Sequence, residues 1–365
     1  MKTILIAHNY SEISFSAMSY HFANHLADLG HKVIFISQSP YFPQKKTLKI
    51  GKGEIILLSW SSEKRPTSIA DFIWFSKIYL QHKPEVIIGH FVGTNISFLV
   101  SKILSFNKVK TFEHYHTLSN QILTDIKKVS LKQKMFFFRK RIFYNLFCDQ
   151  IVCPSQLAKE DLENFFGIKN NFVLLNPMID RFKAKKVTSN DAITISFLGR
   201  FDPSKGIVDL VKAFLKYRIS NPNSKIILNI AGSGREESEI KKLISNNDAI
   251  KYIGHLEYDK IDSYLNNSNF TIIPSKFDNL PTVGLESLMN KTPLLISNNT
   301  GLTHYLVDGK DCFKFEATIE SMISLFKKVE AKFDCHQQMS IEARNTFLAK
   351  FSIKTYCEDF IHAIL

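Results

Sequence analysis

The chain has 365 residues, 45% hydrophobic and 22% charged, which is enough apolar content for two domains with a core each and excludes disorder, a fibre or a small disulfide scaffold. The net charge is +13, yet residues 1–186 hold 26 Lys and Arg against 13 Asp and Glu while the rest hold 21 against 21, so all of the excess lies in the first half. A basic half joined to a neutral half suits one face that approaches an anionic surface or acceptor. The basic half contains no recognised RNA- or DNA-binding module, so no nucleic-acid partner is expected.

The opening MKTILIA is too short for a signal-peptide core and reads as a first strand. KVIFIS, EIILLS, EVIIG, VKTF and DQIVCPS follow as strands, separated by segments such as residues 16–29 that are apolar at helical spacing. That βαβ series predicts a parallel sheet covered on both faces. Within it, Lys127–Phe147 carries seven Lys and Arg, no acid and five Phe. As a helix it is expected to bury Phe and Leu and keep a wet basic flank, the pattern of a helix lying on anionic headgroups or of an ordinary packed helix.

Residues 176–191 carry proline, charge and little periodicity, and read as a linker. ITISFLG, KIILNIAG, IKYIG, FTIIPS and PLLIS then restart the same alternation. The expected fold is α/β, with two doubly wound Rossmann-like domains facing a central cleft. They span residues 1–180 and 191–345, and a C-terminal helix within 346–365 packs back on the first. Five scattered cysteines without a C-x-x-C pair point to a reducing compartment. No apolar stretch reaches 18 residues, so a cytoplasmic protein, soluble or peripheral on the inner face of a membrane, is expected.

In such sheets ligands sit beyond the carboxyl ends of strands, which directs attention to three loops. FLGRFDPSKG ends a strand at Gly199 and places Arg200 and Lys205 beyond it, two cations suited to a diphosphate. AGSG puts Gly232 and Gly234 after the next strand, where a turn requiring positive φ is as good an account as a ligand. PSKFDNLPTVGLESLMNKTP runs from a strand through Asp278 into a helix starting near Thr282, with Glu286 about one turn in. The amides of Asn279, Leu280, Thr282 and Val283, around Pro281, lie at that helix N-terminus and favour phosphate. Asp278 and Glu286 would accept hydrogen bonds from the vicinal diols of a hexose and a ribose, or else cap a turn and form a surface ion pair.

This last segment resembles the retaining GT-B glycosyltransferases of family four, whose donor domain carries an acid, seven residues and a second acid after a strand ending in Pro-Ser. Asp278 stands where the family usually has Glu. The resemblance extends in order and spacing through Gly199, Arg200, Lys205, Gly232-Ser233-Gly234 and Tyr252-Ile253-Gly254-His255, over nearly all of residues 192–310.

It implies a nucleotide-sugar donor, UDP- or GDP-linked, with Arg200 and Lys205 on the diphosphate, Glu286 on the ribose and Asp278 on sugar hydroxyls, and with Ile253 and Gly254 beside the base. It implies no obligatory metal and no cofactor, consistent with the lack of an Asp-x-Asp motif. Family members usually carry a His near the reacting sugar, which His116 fits better than His114. The family's Gly-Gly loop after the first strand is replaced by HNYSEISFS, so hydroxyls or amides around Ser16 would have to substitute. The expected acceptor is a glycan or lipid-linked, in bacterial capsule or lipopolysaccharide synthesis, with residues 127–147 on an anionic membrane. The alternatives are a nucleotide-sugar epimerase of the same architecture and a non-catalytic membrane-associated scaffold.

Overall fold

The computed structural model describes residues 1–8, 13–38, 46–60, 62, 65–91, 95–125, 130–184, 192–245 and 247–365, with side chains from residue 18 onward in the second of these stretches. The chain divides into two compact units, one of Met1–His116, Val129–Met178 and Ile353–Leu365, the other of Thr117–Lys128 and Ile179–Ser352.

The first unit contains strands β1 (Thr3–His8), β2 (Lys32–Ser37), β3 (Lys46–Ile50), β4 (Gly53–Ser59), β5 (Val86–His90), β6 (Lys110–His114), β7 (Gln150–Cys153) and β8 (Asn171–Val173). They form one sheet in the order β3-β4-β2-β1-β5-β6-β7-β8, parallel except for β3. Ile4 to Ala7, Val33 to Ile36 and Val86 to Ile88 are buried, as near-continuous apolar strands covered on both faces must be. The covering helices include α1 (Ile13–Asp28), α2 (Ile69–His82), α3 (Asn95–Leu104) and α5 (Leu131–Phe147). Ser68 caps α2 reciprocally with Asp71, and Ser130 caps α5 with Gln133, so the polar starts of both helices are satisfied locally.

The C-terminal segment read as 346–365 is divided between the units. Residues up to Ser352 stay in the second, whereas α13 (Ile353–Ile364) belongs to the first. Phe360 of α13 stacks on Phe22 of α1 with centroids 4.8 Å apart, and Tyr356 meets the same ring edge-on. Burying a ring of that size is worth about 1.5–3 kcal/mol, enough to anchor a short terminal helix.

The second unit contains β9 (Ile193–Leu198), β10 (Ile226–Ala231), β11 (Ile250–Gly254), β12 (Phe270–Ile273), β13 (Leu294–Ser297) and β14 (Cys312–Phe315), all parallel, in the order β11-β10-β9-β12-β13-β14. That is the doubly wound order, with its reversal between β9 and β12. The helices are α4 (Ser119–Asp125), α7 (Ile207–Ser220), α8 (Glu237–Ile244), α9 (Tyr258–Asn266), α10 (Thr282–Met289), α11 (Ile319–Ala331) and α12 (His336–Lys350), while α6 (Gln156–Asp161) belongs to the first unit. Phe214, Tyr217 and Phe326 pack with Leu210, Leu228 and Phe270 to fill the core.

Three strands escape the sequence pattern, and all lie at or toward sheet edges. KTLKI of β3 is charged and largely exposed, β8 has three residues, and CFKF of β14 is interrupted by a lysine. Alternation and apolar runs are weakest where only one neighbour and one face constrain the chain.

Candidate active site

At the reversal point of the second unit, the loops after β9 and β12 come together. Lys276 N donates to Ser204 O at 2.8 Å, and Gly206 adopts φ 68 where a Cβ would collide with the Pro274 carbonyl oxygen. This close approach carries Lys205 to Asp278, Nζ to Oδ2 at 2.6 Å, with Ser275 Oγ donating to the same carboxylate at 3.4 Å. Arg200 is exposed and pairs with Asp202 at 2.8 Å, and Arg235 holds the other oxygen of Asp202 at 2.8 Å. Gly199 N donates to Ala231 O at the end of β10 and Phe201 N to Ser233 O in the loop after it, while Gly232 N donates to Gly254 O at 2.7 Å. At Gly232, φ 134, a Cβ would collide with the Gly199 carbonyl oxygen, and at Gly234, φ 156, one would stand 2.7 Å from Phe201 N and O. Both glycines therefore serve the packing of one loop on the next. Ile253 is exposed, and Gly254 has open space where a Cβ would lie.

Helix α10 begins at Thr282 with Pro281 as its N-cap residue, so its first amides have no acceptor within the helix. Asp278, Asn279 and Leu280 are buried in the loop before it. Glu286 turns toward Arg181, Oε1 to Nη2 at 3.5 Å, and Arg181 in turn clamps Asp262 through Nε at 2.8 Å and Nη2 at 3.0 Å. Burial pushes the Glu286 carboxyl up to about 7 although Arg181 pulls the other way. The two acids thus each have a cation, Lys205 for Asp278 and Arg181 for Glu286, which answers their repulsion toward a phosphate site.

In the first unit the reversal lies between β1 and β5, and here three adjacent strands end in histidine. His8 is paired in register with His90, and His90 with His114. Their rings stack at 4.3 and 4.1 Å between centroids, and His90 Nδ1 lies 3.3 Å from His116 Nε2 while its Nε2 meets Ser19 Oγ at 3.0 Å. The ring nitrogens of His90, His114 and His116 fall within 4.8 Å of one another. The contact between His90 Nδ1 and His116 Nε2 engages two of these nitrogens with each other.

Burial holds His8 and His116 down at about 3, and His90 and His114 well below the usual imidazole range. Neutral rings of this kind orient ligands and exchange hydrogen bonds, but they are too weakly basic to take a proton near pH 7.

Residues 17–181 match the family described as Glycosyltransferase Family 4, and residues 178–346 match Glycosyl transferases group 1. The UDP- and glucose-bound structure of Anabaena HepE superposes with a TM-score of 0.72, covering 100% of this chain and 99% of that one at 12% identity. This chain belongs to the GT-B glycosyltransferases of family four. The chain is 26% identical over 167 residues to a glycogen synthase of Mycobacterium tuberculosis, covering 44% of this chain and 40% of that protein. It is 23% identical over 234 residues to the lipopolysaccharide 1,2-N-acetylglucosaminetransferase of Salmonella typhimurium, covering 58% and 60%. It therefore spans less than two thirds of the length of either relative.

Of the residues predicted from the sequence, Gly199, Lys205, Gly232, Gly234, Asp278 and the start of α10 gather around the second unit's reversal point, with Arg200 on the same loop. His114 and His116 share one cluster in the first unit, and the side chain of Ser16 lies outside the described residues. One reading changes. Of the five Phe between residues 127 and 147 only Phe137 is buried, because α5 scatters its aromatics around the helix; Phe138 and Leu146 are each 64% exposed. Sequence reasoning misses Arg181, which falls in the aperiodic linker, and also His8 and His90. The signal for these two is a histidine closing each of the buried strands ILIAH, IIGH and TFEH.

Proposed function

We propose that the chain is a retaining, metal-independent glycosyltransferase that moves a hexose from a UDP- or GDP-sugar to a glycan or lipid-linked acceptor in bacterial cell-surface polysaccharide assembly. The observation that carries this reading is the Lys205–Asp278 pair set beside the open start of α10. An arriving diphosphate competes for Lys205 and is received by Arg200 and the α10 amides, which releases Asp278 to accept hydrogen bonds from the sugar. Glu286, held by Arg181, accepts from the ribose diol. As the glycosidic bond breaks, negative charge builds on the leaving diphosphate, and these fixed cations and dipoles stabilise it. The acceptor hydroxyl attacks from the same face and passes its proton to the departing diphosphate oxygen; the neutral His116 and His114 are hydrogen-bonding groups suited to orienting it. Relatives named for glycogen and lipopolysaccharide synthesis support a glycan product, and the basic helix α5 supports an acceptor or membrane of negative charge.

A thermal-shift screen of UDP-, GDP- and ADP-sugars tests the reading, since a ligand bound only by the native state raises its melting temperature. A UDP- or GDP-sugar is expected to stabilise the wild type, and Asp278→Asn is expected to lose the extra stabilisation that the sugar adds over the bare nucleotide. No shift with any nucleotide sugar overturns it.

Glu286 supplies a second check. With its carboxyl near 7, the ionised fraction falls about eightfold between pH 7.5 and 6. Affinity for a UDP-sugar, whose diphosphate does not titrate there, is expected to fall in parallel, and Glu286→Gln to bind weakly with a flat profile. A wild-type profile that is flat removes Glu286 from the ribose.

A further inference from the structure

Glu113 precedes His114 on β6 and so faces the other side of the sheet, where it lines a cavity of about 910 Å³. Sites for small organic ligands run from about 300 to 1,000 Å³. The walls come from α3 and α5 and are apolar: Ile96, Leu99, Met135, Phe136, Ile142 and Phe143. The charged groups lining it are Arg65, Lys132, Arg139 and Lys140, all cations, with Glu113 as the one acid.

Two features of the lining call for an anionic, hydrogen-bonding group. The Lys140 ammonium lies over the faces of Tyr115, Tyr144 and Phe166 at 4.8, 5.4 and 5.5 Å, and among the described residues neither it nor Lys132 nor Arg139 has an ion-pair partner. Ring faces hold a cation in place without using its hydrogen-bond donors. Glu113 is 4% exposed and its Oε2 has no hydrogen-bond partner among the described residues. Space for it is left by Gly89, where a Cβ would stand 2.8 Å from that oxygen. Burial pushes the Glu113 carboxyl well above the usual carboxylate range although Lys140 pulls the other way, which favours the protonated form that donates a hydrogen bond.

A flat bilayer matches neither the concave shape of the apolar wall nor the polar groups within it, and an all-cationic rim repels a second copy of itself. We propose that this cavity binds the lipid phosphate of a lipid-linked acceptor, its isoprenyl or alkyl chain between α3 and α5 and its phosphate on Lys140 and Glu113, while the sugar it carries supplies the attacking hydroxyl. The assignment rests on the transfer reading above and supplies the acceptor class for it.

Farnesyl diphosphate titrated into the full chain by calorimetry is the probe, with inorganic diphosphate and farnesol as controls. One site is expected, with each control at least tenfold weaker. Leu99→Trp fills the cavity, and Met135→Glu, at a position 56% exposed, sets an acid at the wall without burdening the fold. Each is expected to weaken farnesyl diphosphate at least tenfold, with UDP-sugar stabilisation as the folding control. Equal affinity for inorganic diphosphate, or no loss in either variant, overturns the proposal. So does binding to phosphatidylglycerol vesicles without any to farnesyl diphosphate, which would make α5 a bilayer-facing surface. If UDP-sugars bind and farnesyl diphosphate does not, this inference fails and the transfer reading stands. If farnesyl diphosphate binds and no nucleotide sugar does, the transfer reading fails and the lipid-phosphate site is supported.

Discussion

Replacing Arg200 by alanine is expected to slow sugar transfer on the order of a hundredfold while moving the melting temperature by less than about 3 °C. The two effects separate because of where the side chain sits. Arg200 is 65% exposed, and its partner Asp202 keeps a second cation, Arg235, so no acid is left unpaired by the change. An exposed pair of this kind is worth about 0–1 kcal/mol to folding. In the transition state the balance differs, because charge accumulates on the leaving diphosphate and a contact made there is stronger than in the ground state. One such contact is worth about 3 kcal/mol of barrier. Initial rates of nucleotide release and a melting curve on the same preparation decide the matter, and a turnover within twofold of wild type would take Arg200 out of the leaving-group site. Lys205 would not separate the effects, since its removal strands the buried Asp278 and lowers stability together with rate.

The strands of the doubly wound fold are legible in the sequence because buried parallel strands are rich in β-branched and apolar residues, as ITISFL, IILNIA and FTII are. β3 and β14 are not, because an edge strand tolerates lysine. Within the candidate site, what reads directly is what lies on one short stretch of chain: Gly199 to Lys205, and Asp278 to Glu286. What does not read is the pairing across elements. Arg181 reaches Glu286 from 105 positions away, and Asp125 of α4 accepts from Ser204 N at 3.0 Å across 79. Such contacts exist only once the sheet order brings the strand ends together. The histidine cluster sits between these cases. Each member closes a recognisable strand, but their meeting depends on β1, β5 and β6 being neighbours, which strand patterns alone do not order.

That cluster also sets an acid limit on the first unit. An imidazole held near 3 in the folded state and near 6.5 in the unfolded chain favours folding above pH 6.5, and this contribution is lost as the pH falls and the unfolded chain takes up protons. For His8 and His116 together the loss reaches roughly 4 kcal/mol at pH 5, a large share of the about 5–15 kcal/mol that holds a domain together. His90 and His114 act in the same direction. Glu113 opposes them, and so does Glu286 in the second unit, because an acid with a raised pKa favours folding increasingly as the pH drops toward 4.5, but together they offset two histidines of the four. Lys140, lowered to about 8, is protonated in both states below that value and adds no slope in this window. The urea midpoint is therefore expected to fall steeply between pH 6.5 and 5, above the range where ordinary carboxylates begin to protonate. In His8→Gln the slope is expected to be shallower by about one proton, since that ring no longer distinguishes the two states. A midpoint that stays level from pH 7.5 to 5.5 would mean that the rings are not held neutral in the interior, and their assignment as uncharged orienting groups would fall with it.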